Sequence, residues 1–87
     1  DLFDRISARE SIREVRDAVQ SSLTEQERRV ITLRYGLDGK PPMKQREAAA
    51  AAGISRSYVS RIEKRALEKL RRTLASGGST RQVATWD

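Results

Sequence analysis

The run Glu47-Ala48-Ala49-Ala50-Ala51-Ala52-Gly53 places the tightest constraint on how this chain can fold. Alanine has the highest helix propensity, yet five in succession offer little bulk for a core. Such a helix must lie close against a neighbour. Gly53 is the residue that can end it, because glycine takes the left-handed conformation without a steric penalty. Ser55 then has the chemistry of a helix cap, and Val59, Ile62, Ala66, Leu70 and Leu74 follow at intervals of three and four, the stripe of an amphipathic second helix. The pattern predicts two helices joined by a short glycine turn over about residues 44–74, a helix-turn-helix.

Upstream, "ARESIREVRDAVQSSL" places Ile12, Val15, Val19 and Leu23 on one helical face. In "LTEQERRVITLRYGLDG", Thr24 and Glu27 have the spacing at which each side chain satisfies the other's backbone N–H. That helix runs through Val30, Ile31 and Leu33, and Gly36 stops it. The "DGKPP" stretch adds a turn and two prolines, so a break is expected over residues 36–42. The expected fold is therefore all-α: a small four-helix domain over residues 10–74 containing the helix-turn-helix. Residues 1–9 read as a linker or lead-in. Residues 75–87 read as a flexible tail without a helical period, in which Trp86 is a local anchor or an exposed remnant of a longer chain. Phe3 and Tyr35 read as packing residues, Leu67 as core, and no internal repeat is present.

A chain of 87 residues makes one small module. It contains neither cysteine nor histidine, which removes disulfides, thiolate and imidazole metal sites, and the commonest nucleophile and general base. Asp38, Glu47 and Glu63 are scattered without a partner at catalytic spacing, so the chain is expected to be no enzyme and to take no cofactor or small-molecule substrate. No apolar run approaches the roughly 18 residues of a membrane span. No signal segment opens the chain, and the expected setting is the cytoplasm, away from membranes. The first residue is Asp1 rather than Met, which reads as a domain cut from a longer protein or as a processed start.

Charge narrows the partner. Residues 1–43 carry eight Lys/Arg and eight Asp/Glu, whereas residues 44–87 carry ten and four, so the second half holds the whole net charge of +6. A basic excess confined to the half with the helix-turn-helix is the footprint of a module that meets phosphates; a well-solvated helix is the bland alternative. Opposite the apolar stripe lie Arg56, Ser57, Ser60, Arg61 and Lys64. A major groove admits one helix, and arginine can grip a guanine edge with two hydrogen bonds. Short serines allow close approach, and the Tyr58 hydroxyl is placed to bond a phosphate. Arg65, Lys69, Arg71 and Arg72 also fit a second reading, as cations favouring the C-terminal end of the helix.

Together, "LTEQERRVITLRYGLDGK" and "KQREAAAAAGISRSYVSRIEKRALEKLR" resemble region 4, the C-terminal promoter-reading region of bacterial primary-type sigma factors. The likeness is greatest to the sporulation sigma factors of the mother-cell type, and it covers about residues 10–72. It implies a helical domain whose helix-turn-helix binds the minus-35 element of double-stranded promoter DNA, while the domain docks on the flap of the RNA polymerase β subunit. It further implies that Arg56 and Arg61 face the groove with Ser57 and Ser60, and that Arg65, Lys69 and Arg71 meet activators or upstream DNA. The helices around Ile12 to Leu33 would touch polymerase, and an anti-sigma factor could cover the same surface. The regions of a sigma factor that melt the promoter are not in this sequence, so the chain alone is not expected to direct initiation. Where housekeeping members read Arg-Glu-Arg-(Val/Ile)-Arg-Gln, this chain has Arg56-Ser57-Tyr58-Val59-Ser60-Arg61, which implies a different preferred element. Lys44 stands where the family often has a capping threonine, and Ala48 to Ala52 where it has bulkier residues. Two alternatives stay open: the helix-turn-helix effector domain of a response regulator, and a protein-docking module bound by polymerase or an anti-sigma regulator.

Overall fold

A computed structural model of the chain describes residues 12–75. Among them are four helices and no strand: α1 (Ile12–Ser22), α2 (Glu25–Tyr35), α3 (Gln45–Ala52) and α4 (Arg56–Ala75). The all-α expectation is met. The lead-in with Phe3 and the tail with Trp86 lie outside the described residues. None of the described helices is long and apolar enough to cross a membrane. The described residues divide into two compact units: one spans Thr24–Ala66, and the other takes residues 12–23 and 67–75. Helix α4 contributes its first part to the former and its last turns to the latter.

In the Thr24–Ala66 unit, α2 begins as its sequence predicts. The Glu27 N–H donates to Thr24 Oγ1 at 3.2 Å, and the Thr24 N–H donates to Glu27 Oε1 at 2.9 Å. Two otherwise orphaned donors are satisfied at once. The helix ends at Gly36, which is left-handed (φ 66°) and donates its N–H to the Thr32 carbonyl at 2.9 Å, with Leu37 donating to the same oxygen at 3.2 Å. The loop then turns back on the helix: Lys40 N–H donates to Asp38 Oδ1, and Met43 N–H donates to the Leu33 carbonyl at 3.1 Å.

Val30, Ala49, Val59 and Ile62 form the apolar cluster of this unit, with Ile54 packed against it. Ala48, Ile31 and Ala66 are buried as well. The alanines of α3 split by face: Ala48 and Ala49 are buried, whereas Ala50 and Ala51 are exposed. The lack of bulk is what lets α3 approach this closely.

In the other unit, Val15 and Val19 of α1 and Leu23 just beyond its end are buried at the predicted spacing, Ala18 is buried as well, and Leu70 is fully buried. Leu67, expected in the core, is only half-buried, as is Leu74. Leu67 follows Ala66 directly and so lies about 100° around the helix from the Ile62, Ala66, Leu70 line.

Candidate nucleic-acid interface

Three local devices set the geometry of the α3–turn–α4 motif. At the start of α3, Lys44 is extended and its N–H donates to Glu47 Oε1 at 2.9 Å. A lysine side chain has no acceptor, so only this half of a reciprocal cap is made. At the end of α3, Gly53 is left-handed (φ 72°), with Gly53 N–H donating to Ala50 O at 3.3 Å and Ile54 N–H to Ala49 O at 3.0 Å. This pairing closes a helix while turning the next residue, Ile54, onto the core. Arg29 of α2 adds a hydrogen bond from Nη2 to the Ala51 carbonyl at 3.0 Å, satisfying one of the open acceptors at that helix end. Finally, Ser55 Oγ accepts the Tyr58 N–H at 3.1 Å and starts α4 as predicted.

Arg56, Ser57, Ser60 and Arg61 are all exposed and line a single groove, together with Gln45 of α3. Lys64 is exposed one turn further on, and Arg71 near the end of α4. Tyr58 is 38% exposed, and its hydroxyl donates to Gln26 Oε1 at 3.4 Å, so its ring leans toward the start of α2. Arg65, although exposed, pairs with Glu27 Oε2 at 3.5 Å, and Lys69 is half-buried. Glu27 thus serves both the α2 cap and Arg65. An adjoining groove is lined by Arg34, Lys44, Gln45, Arg46 and Arg56. Sequence reasoning did not place Lys44 and Arg46 in the site; the signal was the basic pair flanking the start of α3 in "MKQRE".

Under these grooves lies a polar cluster centred on Glu63, whose residue exposure is only 6%. Arg34 grips both carboxylate oxygens, Nε to Oε1 at 2.8 Å and Nη2 to Oε2 at 3.2 Å. Tyr35 donates its hydroxyl to Oε2 at 2.9 Å, and Gln45 donates Nε2 to Oε1 at 3.0 Å. Arg34 Nη1 reaches the Met43 carbonyl, and its guanidinium carbon stands 5.4 Å from the centre of the Tyr35 ring. Tyr35, read from the sequence as a packing residue, also hydrogen-bonds to Glu63, a residue to which the sequence assigned no partner. Three helices meet at one carboxylate.

Burial alone would push the Glu63 pKa up, but hydrogen bonds from Arg34, Gln45 and Tyr35 and the Arg34 charge outweigh it and hold the carboxyl below its ordinary 4.5. Tyr35 moves the other way: burial first, then the hydrogen bond to Glu63 and its negative charge, push the phenol from 10.0 to about 12. Ultraviolet titration of tyrosinate should therefore show one phenol ionising near 12, and Glu63→Gln should bring that midpoint down. An unchanged midpoint would mean that the Tyr35–Glu63 contact is not made in solution.

No solved structure matches the chain closely enough to be compared. A family model, Sigma-70, region 4, matches residues 21–72, which take in α2, the loop, α3 and nearly all of α4. The RNA polymerase sigma-K factor of Bacillus subtilis is 47% identical over 70 residues, 80% of this chain and 24% of that protein. The RNA polymerase sigma-28 factor of Bacillus thuringiensis is 46% identical over 70 residues, covering 80% of the chain and 29% of its own length. The RNA polymerase sigma-E factor of Clostridium acetobutylicum is 46% identical over 52 residues, 60% of the chain and 22% of that protein. The chain thus spans less than a third of the length of these relatives. With the match running unbroken through the helix-turn-helix and its grooves, the chain belongs to the sigma-70 region 4 family of sigma factors.

Proposed function

We propose that this chain reads the minus-35 element of promoter DNA by inserting the start of α4 into the major groove, within a sigma factor that acts in the cytoplasm on RNA polymerase. The observation that carries the reading is the exposed groove formed by Arg56, Ser57, Ser60 and Arg61 on a helix held by a rigid glycine turn. Arg56 and Arg61 are the base readers, and the serines allow close approach. Lys64 and Tyr58 contact the backbone, while Arg71 and Lys69 extend a basic edge toward an activator or upstream DNA. Arg65 reaches such a partner only by giving up Glu27. The helices around Ile12 to Leu33 supply the contacts to the β-subunit flap of polymerase, for which an anti-sigma factor would compete. The family match covers the "RYGLDG" segment as well as the motif, which favours this reading over a response-regulator effector domain.

A selection from randomised duplexes, with the chain held on the polymerase flap, should enrich one motif. Arg61→Ala should change preference at one or two base pairs, costing about 1–3 kcal/mol there. Lys64→Ala should weaken every duplex alike and flatten the salt dependence by about one unit. Identical behaviour of the two variants on every duplex would overturn the division between readers and positioners. No enrichment with flap binding intact would make the chain a docking module.

A further inference from the structure

The buried Glu63 cluster and the basic grooves share Gln45. Its Nε2 donates to Glu63 Oε1, and the same side chain lines both the groove with Arg56, Ser57, Ser60 and Arg61 and the one with Arg34, Lys44 and Arg46. A carboxylate only accepts, so the nitrogen of the amide must face Glu63 and the orientation of the group is settled by chemistry. Glu63 is in turn clamped by Arg34 and Tyr35, which keeps the amide aimed rather than rotating. The second N–H and the carbonyl oxygen of Gln45 have no partner among the described residues. Gln45 is also the first residue of α3, with Lys44 and Arg46 on either side, and the one carboxylate of that first turn, Glu47, is engaged by the Lys44 N–H. Arg34 neutralises Glu63, so the buried carboxylate does not repel an anion there.

We propose that Gln45 is a positioning contact of the interface, donating its second amide N–H to one backbone phosphate of the duplex, and that Glu63 acts through it by fixing the amide's rotation. This rests on α4 being the helix that enters the groove. A neutral donor anchors the register of α4 without adding a counterion to be released, which separates its effect from that of a lysine.

The test is duplex binding by the 87-residue chain held on the polymerase flap, using the best member of the selected pool and copies in which single phosphates are replaced by neutral methylphosphonate. Gln45→Leu should weaken binding about five- to tenfold on every sequence with the salt slope unchanged. Wild type should lose affinity at a defined set of substituted phosphates, and Gln45→Leu should be insensitive at one of them. Glu63→Leu, which removes the acceptor, should with its helicity verified by circular dichroism be insensitive at the same one. Wild-type affinity in Gln45→Leu, or wild-type sensitivity at every phosphate, would overturn the contact. Wild-type sensitivity in a folded Glu63→Leu would overturn the part played by Glu63. If Glu63→Leu does not fold, Gln45→Leu carries the test, since it removes one donor from a half-buried helix start. Binding of no duplex by wild type would instead overturn the reading on which the inference rests, and the inference with it.

Discussion

Glu63→Ala is expected to lower the unfolding free energy of the Thr24–Ala66 unit by about 3–5 kcal/mol. The variant leaves the Arg34 guanidinium, the Tyr35 hydroxyl and the Gln45 amide facing a cavity instead of an acceptor. Arg34 is the decisive member, because its side chain is 22% exposed and cannot swing wholly into water while Nη1 holds the Met43 carbonyl. Urea denaturation followed by circular dichroism measures the loss. A change under about 1 kcal/mol would mean that water replaces the carboxylate at little cost. The pH dependence follows from the two shifts. Glu63 has a depressed pKa in the folded chain, so its contribution is present above 4.5 and is lost as pH falls through the folded value. Tyr35 has a raised pKa, so its contribution is complete below 10.0 and is lost as pH rises toward about 12. Stability from the cluster therefore has a plateau between those limits, and Glu63→Ala should flatten both edges.

The same substitution at two glycines should give unequal results. Gly36 and Gly53 both sit in the left-handed region, with φ of 66° and 72°. Gly53→Ala introduces a Cβ that meets nothing within 4 Å, so it should cost only the backbone preference, about 1–2 kcal/mol. Gly36→Ala carries that cost and also drives its Cβ into the Lys40 carbonyl oxygen and against Pro42, backbone that cannot swing aside. The Lys40 segment is tied to α2 through the Met43–Leu33 hydrogen bond, so relief requires the loop to move. A loss of about 2–4 kcal/mol is expected. Thermal unfolding of the two variants side by side decides it, and equal melting temperatures would show that the 36–43 loop yields freely.

What was legible in the sequence is what is encoded within a few residues. Thr24 with Glu27, Gly36, Gly53 and Ser55 each satisfy backbone groups three to five positions away, so the limits of α2, α3 and α4 follow from local chemistry. Helical spacing likewise predicted the burial of Val15, Val19, Leu23, Val59, Ile62, Ala66 and Leu70 and the exposure of Arg56, Ser57, Ser60 and Arg61. The Glu63 cluster was not legible, because its donors come from 29, 28 and 18 residues away and nothing in a local window marks an acid as buried. The same reason hid Arg34, Lys44 and Arg46: they join the site only when α2 and α3 are brought beside α4.

Helix α3 is eight residues long, well below the roughly 12–15 at which a helix persists alone in water. Its first residue hangs from Glu63, its Ala51 carbonyl is met by Arg29, and its two buried alanines are held by packing. The grooves are thus properties of a completed fold, and no peptide cut from α3 or α4 would reproduce them. Folding and occupancy are then linked by mass action: whatever fills these grooves binds the folded chain and not the unfolded one, and must raise its melting temperature as its concentration rises.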